Sequence, residues 1–213
     1  ENFMLILSKC PQIHHLEINC GASSAACASF IAQKLTQLKT ICIYNYQFCD
    51  ELLVQLAEHR TDTLEGLYIM DAFDMSGDSL NAVLQKCTKL QTLHIYCLSS
   101  MEFNPALLCN LTTLVLQVDA DTKQFLTTVA PHCTKVEYFG LADTFMEPQD
   151  ISLTLRNKYF FPALRVLDVF DLIGGRELRR WLTTQRPNLT FRQSQNVKWY
   201  KFYDVARAMD MSN

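Results

Sequence analysis

Residues 86–97 read Lys-Cys-Thr-Lys-Leu-Gln-Thr-Leu-His-Ile-Tyr-Cys, or KCTKLQTLHIYC. Two cysteines bracket a histidine, and apolar residues stand at Leu90, Leu93 and Ile95. The stretch is open to three readings: a metal site, a Cys/His catalytic pair, or one unit of something repeated. Two other segments decide between them. KCPQIHHLEINC at 9–20 and HCTKVEYFGL at 132–141 carry the same order of cysteine, two residues, apolar, two residues, apolar, one residue, apolar. A pattern that returns at a fixed period points to a repeat before it points to a site.

The apolar part of the pattern extends further than the cysteines. It recurs at Ile13/Leu16/Ile18, Leu38/Ile41/Ile43, Leu64/Leu67/Ile69, Leu90/Leu93/Ile95, Leu111/Leu114/Leu116, Val136/Phe139/Leu141 and Leu164/Leu167/Val169. By subtraction the first positions step by 25, 26, 26, 21, 25 and 28 residues. The second and third apolar positions alternate with variable ones, which is strand periodicity. Helical runs follow at Asp50–Ala57, Asp78–Leu84, Thr122–Val129 and Arg176–Leu182. In the first of these, Leu52, Leu53 and Leu56 share one helical face. Asp50, Asp78 and Asp121 stand where an N-cap belongs. Each period thus predicts strand, turn, helix and return. Stacked, such units give an α/β solenoid, with a parallel sheet on a concave face and helices on the convex face.

At this point the residues resemble a known family, the cysteine-containing leucine-rich repeats. Its repeat runs roughly Cys-x-x-Leu-x-x-Leu-x-Leu-x-x-Cys, then Ile-Thr-Asp, then Leu-x-x-Leu-Ala. Cys10, Cys87 and Cys133 match the leading cysteine, and Phe48–Ala57 (FCDELLVQLA) resembles the Thr-Asp to Leu-Ala segment. The second cysteine is displaced or absent in most units, and the fifth and seventh lack the leading one. The resemblance covers about residues 9–190. It implies a leucine-rich repeat horseshoe over 1–190, followed by a capping segment at 191–213. It also implies that the leading cysteines are reduced, metal-free and packed inward as small hydrophobes.

Composition agrees with a folded protein that binds by shape. The 213 residues are 49% hydrophobic and 19% charged, with 19 basic and 22 acidic residues and a formal net charge of −3. That balance argues against bulk electrostatic binding to nucleic acid or an anionic membrane. No apolar run approaches the roughly 20 residues that span a bilayer. Nine cysteines without a CxxC spacing fit a reducing, intracellular setting better than a disulfide framework. The Asn110-Leu-Thr and Asn188-Leu-Thr sequons overlap strand starts and read as coincidence. No phosphate-binding loop, nucleophile elbow or H-E-x-x-H motif is present. The expectation is a non-enzymatic protein with no cofactor and no metal.

Both ends look atypical. ENFMLILSKC at the start reads as the tail of a helix from a preceding repeat. VKWYKFYDVARAM at 197–209 mixes aromatic and basic residues and reads as a terminal cap. The pattern degenerates at Leu189, where Arg192 and Ser194 take positions that are apolar elsewhere.

The family resemblance implies protein recognition. Many such arrays are the substrate-binding halves of F-box proteins, whose F-box engages the Skp adaptor of a cullin-type ubiquitin ligase. No F-box-like segment occurs here, so that link would require one upstream. The alternative is a leucine-rich scaffold or regulator with no ligase connection. In either case strand alternation nominates the binding face. It sends Glu17 and Asn19, Cys42 and Tyr44, Tyr68 and Met70, His94 and Tyr96, and their successors to the side away from the helices. Tyr44, Tyr68, Met70, His94 and Tyr96 then form one patch, open to a partner protein, with loops Tyr46–Phe48 and Ala72–Met75 as a rim.

Overall fold

The seven predicted strands and an eighth assemble into one sheet. A computed structural model describes residues 2–19, 25–44, 49–70, 75–98, 103–118, 122–142, 148–170 and 175–194. The strands are β1 (His15–Asn19), β2 (Thr40–Tyr44), β3 (Gly66–Met70), β4 (Thr92–Leu98), β5 (Thr113–Val118), β6 (Tyr138–Ala142), β7 (Val166–Phe170) and β8 (Thr190–Ser194). They lie side by side in sequence order. Every neighbouring pair is parallel. This is a single open α/β solenoid-like array of eight strands alternating with helices.

The connections are α1 (Asn2–Ser8), α2 (Ala25–Lys34), α3 (Cys49–His59), α4 (Gly77–Lys86), α5 (Thr122–Val129), α6 (Pro148–Arg156) and α7 (Gly175–Gln185). Between β4 and β5 the connection is a 3-10 helix, Pro105–Asn110. The spacing of 21 residues there is too short for a full helical unit, and the tighter helix is how the chain closes it. Asn104 caps it, its side chain accepting from Ala106 N.

One apolar core runs the length of the array. The inward strand residues, such as Ile41, Ile43, Leu67, Ile69, Leu93 and Ile95, are buried against Ile31, Leu52, Leu56, Leu80 and Val83 of the helices. Each unit buries its apolar stripe only by having a neighbour, as repeat architectures require. A recurring hydrogen-bond staple fixes the register. The carbonyl that precedes each strand accepts from two consecutive N–H groups of the next unit. Lys39 O, for example, takes Glu65 N at 2.6 Å and Gly66 N at 3.0 Å.

The helix starts are tied across units as well. Asp50 was expected to cap α3, and Asp78 to cap α4. Instead Ser76 caps α4, its side chain accepting from Asp78 N. Asp50 sits in the first turn of α3 and reaches into the next unit. Its carboxylate accepts from Ser76 N at 3.0 and 3.2 Å and from the Ser79 hydroxyl. A charged acceptor joined to both a backbone N–H and a hydroxyl is stronger than a neutral cap. Asp50→Ala is expected to lower the unfolding free energy by about 1–2 kcal/mol, measured by urea denaturation, with Asp50→Asn recovering part of the loss. Asp121 lies outside the described residues.

The leading cysteines divide. Cys87 and Cys133 are buried, at 2% and 0% exposure. Cys87 Sγ lies 3.9 Å from Leu56 O of the preceding unit. Burial pushes both thiols up to about 12, so both stay protonated and inert. Cys10, expected to be buried, is exposed. At Cys87 the cover comes from the preceding unit, through Leu56 O; among the described residues no strand–helix unit lies before Cys10 to cover it in the same way.

The terminal irregularity differs from its sequence reading. β8 pairs with β7 so that Leu167 faces Phe191 and Asp168 faces Arg192. Phe191, not Arg192, therefore packs toward the core. One residue is missing between Leu189 and the inward position, and only Thr190 N reaches Arg165 O where earlier units supply two N–H groups. β8 takes residues 191–194 of the expected cap into the sheet. VKWYKFYDVARAM lies outside the described residues.

Candidate partner-binding face

Side-chain alternation leaves every second strand residue on the face opposite the helices. The register aligns Glu17, Cys42, Tyr68, His94, Val115, Gly140, Asp168 and Arg192 in one row across all eight strands. A flanking row runs Asn19, Tyr44, Met70, and Tyr96 joins the same face two residues after His94. The five residues nominated from sequence thus share one face of adjacent strands.

Their exposure corrects the expectation. Tyr44, Tyr68 and Met70 are half-buried. His94 and Tyr96 are buried, at 2% and 5% exposure. The Tyr68 and His94 rings lie 4.4 Å apart at 57°, so Tyr68 covers part of the imidazole. His94 and Tyr96 consequently support the face from below and do not present themselves to a partner. Of the predicted rim, 46–48 and 72–74 lie outside the described residues, and Met75 is half-buried and packs on the main core.

The face is a second core over its central and later strands. Tyr96, Val115, Tyr138, Ala142, Val166 and Phe170 form a buried cluster, with Met70 packed against it. Tyr138 and Val166 belong to a third row, two residues before the central one. Sequence reading missed that row because it counted only positions between and after the inward apolar residues. The same period-2 rule extended backward would have found it. Gly140 belongs in this crowded region: a Cβ there would stand 2.9 Å from a Val115 methyl.

Asp168 is fully buried within this cluster. Its carboxylate accepts from the Tyr138 hydroxyl at 3.0 Å and from the Ser194 hydroxyl at 2.9 Å. A buried carboxylate held by two hydroxyl donors stays hydrogen-bonded and specifies the local packing.

Burial sets the protonation of the titrating groups on this face. Burial pushes the Cys42 thiol up to about 11 and the Tyr68 phenol up to about 12, and it raises Tyr44 as well. Burial drives His94 down to about 3, which keeps its imidazole neutral. Its Nε2 has no hydrogen-bond partner. Among the described residues no group of three or more His, Cys, Asp or Glu could hold a metal ion. Among them, too, no helix is long and apolar enough to cross a membrane.

No protein-family model matches the chain, and no curated protein matches it. Among solved structures, the crystal structure of a Bacteroides fragilis protein from a structural genomics consortium is similar over 77% of this chain and 66% of that chain. The two are 16% identical, with a TM-score of 0.35. A likeness at that level carries no argument about architecture or activity.

Proposed function

We propose that this chain is a leucine-rich repeat protein-recognition module: the substrate-binding repeat domain of an F-box-type ubiquitin ligase subunit. The observation that supports recognition is the group Tyr44, Tyr68 and Met70. These three large side chains sit half-exposed on the adjacent strands β2 and β3, on the face the helices leave bare. Tyrosine and methionine are enriched at the centres of protein interfaces, where they bury much area at small entropic cost. A partner would lay an apolar or mixed segment across these two strands. The thiols and phenols raised by burial fit a surface that binds and does not react.

The ligase connection rests on the cysteine-containing repeat pattern, with Cys87 and Cys133 packed as that pattern implies. In this reading an F-box upstream of residue 1 would hold the Skp adaptor and cullin, and the repeats would present the target. The test is affinity capture of the full-length protein, with quantitation of what co-purifies. Recovery of an adaptor–cullin pair, together with a protein whose ubiquitination depends on this chain, is the expected result. Stable partners without an adaptor would instead assign the chain to the scaffold reading.

A further inference from the structure

The helix side of the last units concentrates positive charge. Between positions 156 and 192 stand eight basic residues against three acidic ones, although the whole chain has 19 against 22. Of those three acids, Asp168 is buried on the opposite face of the sheet and held by hydroxyls. Arg176, Arg179 and Arg180 are exposed, and their i, i+3, i+4 spacing puts them on one face of α7. The exposed Thr183 and Thr184 continue that face toward Arg186, just past the helix end. Arg156 and Lys158 are exposed at the end of α6, which packs against α7. Among the described residues the ion pairs are Lys39–Glu65 and Arg165–Glu137, so these cations have no carboxylate partner there.

The stripe ends at a cavity of about 280 Å3 between the turn at 158–164 and the turn at 186–189. Pro162, Leu164, Pro187 and Leu189 form apolar walls, while Lys158 and Arg186 supply charge. Among the described residues no acidic one lines it. Arg186 Nη1 donates to Phe161 O at 3.3 Å, and Nη2 donates to Asn157 O at 3.4 Å and Phe160 O at 3.0 Å. A guanidinium has five N–H donors, so two remain. Burial lowers the pKa of Arg186 from its ordinary value, the mark of a cation partly stripped of water. An anion brought beside such a cation stabilises its charged form.

We propose that this stripe and cavity form a second interaction surface, which binds an acidic segment of a protein partner. From Arg176 to Arg186 the charge is spread over about 15 Å of helix. That length suits several carboxylates on one chain better than a single small anion. Leu153 and Tyr159, 48% and 71% exposed, stand on α6 and the turn after it and would take apolar residues of the same segment. A peptide offers both kinds of side chain. A nucleic acid offers the charge without the apolar side chains, and the chain's net charge of −3 repels it at longer range. The surface lies on the helix side, away from Tyr44, Tyr68 and Met70, and it does not rest on the ligase reading.

The test measures fluorescence anisotropy of a fluorescein-labelled peptide of ten glutamates with the full chain at low ionic strength. A matched peptide of ten glutamines and a single-stranded oligonucleotide of equal charge are the comparisons. Wild type is expected to prefer the glutamate peptide over both, with affinity falling as salt rises. Lys158→Glu with Arg180→Glu should weaken that binding by about tenfold or more. Lys86→Glu with Lys89→Glu makes the same change of charge at two exposed positions of another unit and should leave it within about twofold of wild type. Lys158→Arg with Arg180→Lys keeps the charge and should bind as wild type does. Should the double reversal fail to fold, Lys158→Gln with Arg180→Gln reads the same loss in smaller measure. Equal binding of both peptides, tighter binding of the oligonucleotide, or equal losses from the two double reversals would overturn the proposal.

Discussion

Phe161→Ala is expected to lower the unfolding free energy by about 3–5 kcal/mol, the cost of emptying a fully buried aromatic site. Phe161 is 1% exposed and stacks on Phe139 with ring centroids 4.6 Å apart and planes 26° from parallel. It joins three successive units. Its N–H meets Ala130 O at 3.5 Å on one side, and its carbonyl accepts from the Arg186 guanidinium at 3.3 Å on the other. It does this with φ at +48°, in the left-handed region that a phenylalanine rarely enters. That conformation costs about 1 kcal/mol or more, and the ring's packing offsets it. Alanine keeps the backbone cost and loses the packing. Phe161→Leu should lose less, because it refills part of the volume. Urea denaturation followed by circular dichroism reads the difference. A loss below about 1 kcal/mol for the alanine variant would mean that this turn does not tie the units together.

Acid should weaken the protein through one histidine. His94 is neutral in the folded state because burial drives its pKa down to about 3, whereas an unfolded histidine titrates near 6.5. A depressed histidine stabilises the fold fully above about pH 6.5. That contribution is lost as the pH falls from 6.5 toward 3, since the unfolded chain takes up a proton that the folded chain refuses. At pH 5 the loss is about 2 kcal/mol. Along its row His94 faces Tyr68 on one strand and Val115 on the other, and neither offers a charge to hold an imidazolium. Cys42 and Glu17 lie further along the same row. Carboxylates elsewhere add their own pH dependence, so the informative quantity is a double difference. Wild type and His94→Leu are each unfolded in urea at pH 7 and pH 5. The variant should lose about 2 kcal/mol less than wild type over that interval. Equal losses would show that the imidazole is reached by water or protonated in the fold.

The units were legible in the sequence because strand triplets such as Leu90/Leu93/Ile95 obey a short local rule and return at a near-constant step. Helices with strong apolar faces, α3 and α4, were legible for the same reason. Helix α2 was not: its buried face is Cys27, Ala28, Ile31 and Ala32, and two alanines give little contrast with a loop. The one-residue slip at β8 was invisible because Leu189 imitates the first position of the pattern while Phe191 takes the second inward one.

The site was legible in direction and not in depth. Alternation placed Tyr44, Tyr68, Met70, His94 and Tyr96 on one face correctly. It fixes the direction of a side chain and not its burial, and so it could not anticipate that His94 and Tyr96 are buried. Cys10 failed for a related reason: burial of a repeat residue depends on the neighbouring unit, which its own repeat does not encode.

Binding by a Tyr68→Ala variant of the full-length protein decides whether the half-exposed residues of β2 and β3 form the recognition surface. Once capture has identified a partner, its affinity is measured for wild type, for Tyr68→Ala and for Arg192→Ala at the far end of the same row. Tyr68→Ala is expected to weaken binding by about 2 kcal/mol or more, roughly thirty-fold, while Arg192→Ala leaves it unchanged. Normal binding by a folded Tyr68→Ala protein, with binding lost in Arg192→Ala, would contradict it.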